Sequence, residues 1–237
     1  MFNFLKKQKA IKVQALGHLP QLGTMFGELS DIEKVQKYTV EILNNSTAKI
    51  NDFTINSNLK IYYKNSQIAS CFPYLGGKSD FNINFNTIHC WNNSNDTEAV
   101  GLGQVEFGGS LNLYLTDYKE NQDRYNNEKG FQAVKVAGLA YGVEPFNSQE
   151  LDNSIKIAKD FVGYFPLPDG RLYEWQIIGK LVSLEDLDCF IVLELEMVKI
   201  DDVTKSMCIY IHKNFVDKEL ILGETYSVPC WLFCQLD

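Results

Sequence analysis

Only three histidines, His18, His89 and His212, occur in this chain of 237 residues. A nucleophilic triad needs a serine or cysteine held by a histidine that a third group orients. His89 adjoins Cys90, but neighbours on a strand point to opposite faces, and no GxSxG elbow precedes a helix. Metal-ligand spacing is missing as well: Cys71, Cys90, Cys189, Cys208, Cys230 and Cys234 form no CxxC pair, and no HxxxH occurs. A zinc site from His212, Cys230 and Cys234 would have to be assembled across strands. Cys230 and Cys234 share one face of a strand and read as core filling, and the cysteines together as reduced thiols. No catalytic residue, metal or cofactor is expected.

Long apolar runs are also lacking. No stretch of about 18 apolar residues is present to span a membrane. The opening MFNFLKKQKAIKV carries four lysines and no acid, but has neither the apolar core nor the cleavage site of a secretory signal. The expectations are a frayed terminus over residues 1–12 and a cytoplasmic location. Phosphate-binding glycine loops fail on context: GLGQVEFGG runs on as strand and hairpin, and FPYLGGKSD lacks the first glycine of a Walker loop. The sequence shows no repeat and no low-complexity segment.

What the chain does have is β-pattern and acid. Hydrophobic residues make up 45% and aromatics 13%, enough for a packed core. In residues 189–200, CFIVLELEMVKI, the apolar side chains of Ile191, Leu193, Leu195 and Met197 alternate with Glu194 and Glu196, the period of a half-buried strand. YEWQIIGKLV, MCIYIH and YSVPCWLFCQL continue this pattern, with KNFVDKELILGE between the last two giving a helical turn and a short strand. These elements predict a small OB-like barrel over residues 171–237. Gly179, inside the first run, marks a bulge or close bend.

Before it, residues 1–165 read as an α+β domain: a helix from Ser30 to Asn45, then seven strand-like runs between Ala48 and Val143, then helical spacing through Leu151, Ile155, Ala158 and Phe161. Gly108 and Gly109 mark the clearest hairpin turn. FPLPDG, with Pro166, Pro168 and Gly170, is the expected boundary. The predicted fold is thus α+β and strand-rich, an antiparallel sheet with one or two packed helices followed by the barrel.

Net charge is −8, and from Arg171 onward there are 6 basic and 12 acidic residues. Such a surface repels phosphate backbones, so nucleic acid is not the expected partner despite the barrel shape. The reading is a non-catalytic acidic module that binds a protein, a basic one by electrostatic complementarity, as immunity proteins, antitoxins and adaptors do. Its expected contacts are Asp117, Tyr118, Arg124 and Tyr125 in the polar loop TDYKENQDRYNNEKG, with Glu194 and Glu196 on the barrel. The alternative is an enzyme or small-ligand binder whose site is assembled from distant residues such as Asp117, Tyr118 and Tyr141.

Overall fold

The computed structural model describes residues 18–46, 53–56, 58–64, 67–90, 97–146, 161–200 and 203–237. Helices α1 (Leu19–Met25) and α2 (Ile32–Asn44) come first, then a meander of β1 (Phe53–Asn56), β2 (Leu59–Lys64) and β3 (Gln67–Pro73). Next follow β4 (Ser79–Cys90), β5 (Ala99–Val105), β6 (Ser110–Leu115), α3 (Tyr118–Asn127), β7 (Gln132–Ala140) and β8 (Glu144–Pro145). The last part holds β9 (Gly163–Pro166), β10 (Glu174–Leu187), β11 (Phe190–Ile200), β12 (Val203–His212), a 3-10 turn (Lys213–Phe215) and β13 (Thr225–Leu236). Among the described residues no helix is long and apolar enough to cross a membrane.

The strands follow from side-chain alternation. In β4, Phe81 and Ile83 turn inward while Asp80 and Asn82 face out, and β11 does the same with Leu193, Leu195 and Met197. The hairpin between β5 and β6 turns on Gly108 and Gly109, whose φ angles of 92° and 85° suit a primed turn. Gly179 is a place of close approach: a Cβ there would lie 2.8 Å from the Leu195 Cβ and 2.9 Å from the Glu196 carbonyl oxygen. The bulge itself falls between Leu181 and Ser183. Helix α2 begins one residue later than its Ser30 signal suggests, because Asp31 takes the cap and its side chain accepts from the Lys34 amide at 2.9 Å.

Pairing of the strands closes two five-membered rings. The meander β4–β5–β6 is closed by β7, antiparallel to β4, and by the end of β13, parallel to β6. The meander β10–β11–β12 is closed by the start of β13, antiparallel to β10, and by the end of β7, parallel to β12. Each is an OB-like barrel, and the eight strands enclose a continuous core. The predicted short strand between β12 and β13 is absent: residues 216–224 form no strand, and β7 supplies the parallel closing strand instead. One hydrogen-bonded sheet therefore holds strands from both sides of the Pro166–Gly170 segment.

The two barrels are copies of one plan, a repeat the sequence does not display. The pair Phe85–Gly103 in the first matches Leu181–Leu195 in the second, and both are followed by a bulge in the first strand of the meander. Leu111, Leu113 and Leu115 point inward on β6 as Met207, Ile209 and Ile211 do on β12. β7 and β13 pair antiparallel, and the Gly138–Leu232 pair lies where the local twofold between the halves passes through them. Glycine at 138 leaves room for its partner, since a Cβ would sit 3.2 Å from Leu232 Cδ2.

The other face of this ribbon carries Ala137, Leu139, Trp231 and Phe233, covered by α1, α2 and the small sheet β1–β3. The helix expected over Leu151, Ile155 and Ala158, and the terminus over residues 1–12, lie outside the described residues.

Truncating Leu232, fully buried where the barrels meet, is expected to cost about 2–5 kcal/mol. In urea unfolding of Leu232→Ala followed by hydrogen exchange, protection should fall together in both barrels. Loss confined to one would show that the ribbon does not couple them.

Candidate functional site

The polar stretch after β6 is helix α3, not a loop, and this reverses the role of three of its residues. Asp117, Tyr118 and Tyr125 are buried, at 8%, 1% and 3% exposure, so they face the core and offer no surface to a partner. Asp117 Oδ1 accepts the Tyr125 hydroxyl at 2.7 Å, and Oδ2 accepts the Asn121 amide at 2.6 Å and the Leu236 backbone amide at 2.9 Å. The carboxylate thus pins α3 to the end of β13. Burial raises the Asp117 pKa, and these donors with the Lys60 charge offset only part of that. Arg124 stays exposed and pairs with Glu128 at 3.3 Å. Glu194 and Glu196 lie half-buried on β11 of the other barrel, Glu194 accepting from Ser183 at 2.7 Å, so the structure does not gather the predicted contacts into one site.

Lys60, 2% exposed, enters beside α3 from β2. Its ammonium donates to the Thr116 carbonyl at 2.8 Å and meets Glu120 at 2.7 Å, with the Tyr74 and Tyr62 ring centroids 4.9 and 5.2 Å away. Burial lowers its pKa despite Glu120 and Asp117. A buried cation with an anionic partner, a carbonyl and aromatic faces is satisfied internally.

Two further carboxylates are likewise occupied from within. Glu98 accepts from the Tyr114 hydroxyl at 2.8 Å and contacts His18 Nε2 at 2.6 Å, tying the start of α1 to the first barrel. Burial pushes its pKa up, but the charge and hydrogen bond of His18, with Tyr114 and Ser70, outweigh burial and hold it below the ordinary value. Glu174 accepts from Gln21 at 2.8 Å, from Tyr141 at 2.6 Å and from the Arg171 amide at 2.7 Å, tying α1 to the second barrel. His18 is thus a core histidine. His212 lies against Gly27 on the outer surface and accepts from the Asn214 amide at 3.1 Å, away from Cys230 and Cys234 inside the barrel. None of the six cysteines is in a disulfide.

Among the described residues, one open feature is a cleft of about 770 Å³ between residues 141–146, which continue β7, and residues 214–226. Its walls carry Tyr141, Phe146, Phe215 and Tyr226 with Glu144, Asp217, Glu219 and Glu224, against one cation, Lys218. Glu144, Asp217, Glu219 and Glu224 are exposed, in contrast to Glu98, Asp117 and Glu174. Tyr141 joins the two settings, lining the cleft while its hydroxyl reaches inward to Glu174. The segment is held by the Ile221 amide, which donates to Tyr226 at 2.8 Å. Its signal in the sequence is the interleaving of acids with apolar residues in KNFVDKELILGE, the run predicted as a helical turn and a short strand.

No protein-family model and no curated protein matches the sequence. Among solved structures, the chain is similar to the cytoplasmic molybdate-binding protein ModG with molybdate bound, at a TM-score of 0.39 and 11% identity, over 69% of this chain and 99% of that one.

Two measurements check the buried networks. Lys60→Met is expected to destabilise by about 2–3 kcal/mol in chemical denaturation, modest for a buried pair because Glu120 keeps 29% exposure, and adding Glu120→Gln should recover part of it. Folding depresses the Glu98 pKa below 4.5, so its stabilisation is full above pH 4.5 and lost as pH falls through the folded value. Glu98→Gln should therefore lower stability at neutral pH and flatten the fall in stability below about pH 4.5.

Proposed function

We propose that this protein is a non-catalytic binding module that takes a basic polypeptide segment into the cleft between residues 141–146 and 214–226. One contrast carries the reading. The buried carboxylates of the described residues are saturated by internal donors, whereas the four cleft carboxylates face solvent with no ion pair among the described residues. A cation brought to them gains Coulomb energy without displacing an internal partner. The rim is also apolar: Ile221 and Leu222 are 50% and 59% exposed, contacts that suit a chain lying across the cleft. The overall charge of −8 adds long-range attraction for a basic partner and repulsion of phosphate backbones.

A second reading is a small organic cation, favoured by the cleft volume of about 770 Å³, a size typical of small-molecule pockets. Ligand length separates the two.

Titration calorimetry with lysine- and arginine-rich peptides of increasing length tests the proposal. Affinity should rise with length and drop about ten-fold or more between about 50 and 300 mM salt, through ionic screening. The double variant Glu219→Lys, Glu224→Lys should abolish binding. If no basic peptide binds at low salt, the proposal fails.

A further inference from the structure

Helix α1 owes its place to its partners, since little within it favours a helix. It has seven residues, Pro20 in its first turn, no capping side chain and no acid at its start. An isolated helix of that length is unstable in water. Two polar contacts fix it, one to each barrel. Gln21 donates to Glu174 and to the Tyr141 hydroxyl in the second barrel, and a carboxamide does not titrate. His18 Nε2 meets Glu98 Oε2 at 2.6 Å in the first, and both of these groups can take up a proton. The pair is buried, at 1% and 4% exposure. Phe72 and Tyr114 stand around the imidazole, with ring centroids 6.0 and 5.4 Å away. Facing the carboxylate are Tyr114 from β6, Ser70 and Cys71 from β3, and Tyr173 ahead of β10, groups that are all neutral in acid.

We infer that α1 is an acid-released strap across the two barrels, with the His18–Glu98 pair as its catch. The pair is neutral while it holds one proton. A second proton turns it into a cation buried beside aromatic rings, which is costly until the helix lifts and water reaches it. Glu98 binds its proton less tightly with α1 docked than in the open chain, so acid favours the released helix. Docking is therefore complete above pH 4.5 and weakens as pH falls through the docked value. Asp117 behaves in the opposite sense: burial raises its pKa, so protonation there does not loosen α3. The barrels can stay closed as α1 leaves, because their core lies on the other face of the ribbon and strand pairing closes them. Release would uncover part of the apolar ribbon face on which α1 lies.

The test is hydrogen exchange of the full chain between about pH 6 and 3, comparing protection factors in α1 with those in β6 and β12. Below pH 4.5, α1 should lose protection by up to about ten-fold per pH unit, the limit for one proton, while β6 and β12 keep theirs. His18→Gln leaves Glu98 without the imidazole charge, and protonation then neutralises a buried anion. In that variant α1 protection should rise in acid, the reverse of the parent chain. His18→Gln with Glu98→Gln should make it independent of pH. Loss of α1 and barrel protection together, indifference of α1 to acid in the parent, or the parent's acid loss persisting in either variant would overturn the strap. Where a variant leaves α1 unprotected at every pH, the parent chain's separate loss of α1 decides alone.

Discussion

The hydrogen-bonded ribbon of β7 and β13 is the constraint on which the rest depends. Each strand spends one half of its length in one barrel and the other half in its neighbour. A barrel removes the liability of an unpaired edge only if its first and last strands meet, and in both barrels the meeting is made through this ribbon. One face of the ribbon supplies the floor of the shared core, and the other supplies the apolar bed on which α1, α2 and the small sheet lie. Helix α1 then bridges the barrels from outside, through His18 on Glu98 and Gln21 on Glu174.

Two copies of one plan would be expected to present two equivalent sites, and the structure shows how that equivalence was broken. The difference lies in the connection after the third strand. A helix with Tyr118 and Tyr125 turned inward fills one corner, while a 3-10 turn and an irregular segment leave the other open. The buried carboxylate at the filled corner, Asp117, stiffens the fold, because its donors are in place. Exposed carboxylates at the open corner keep their field directed at solvent, where an approaching charge feels it.

Much of the strand inventory could be read from residues alone. The run LKIYYK is β2 from end to end, and the alternation in residues 190–200 marks β11 and its inward face correctly. The repeat was hidden because period-two burial is common to all half-buried strands and carries no signature of a particular barrel. Phe85 opposite Gly103 holds the register position of Leu181 opposite Leu195, with different residues at both places and no sequence likeness. Strand exchange was hidden for another reason: which edge a strand pairs with depends on partners a hundred residues away. The composition of helix α3 suggests a loop instead. KENQDR is polar throughout, and the seven-residue interval between Tyr118 and Tyr125, two helical turns, was the overlooked sign of a buried face. The cleft escaped notice since its walls come from segments about seventy residues apart, joined only by the ribbon.

The exchanged strands also set an order of events during synthesis. The first meander is complete once β6 has been made, yet its parallel closing partner, the end of β13, follows about 120 residues further along the chain. Its open edge must wait while the second meander emerges, so neither barrel closes ahead of the other. A nascent chain of this design exposes sheet edges for longer than two barrels with their own closing strands would, and both become protected in one late step.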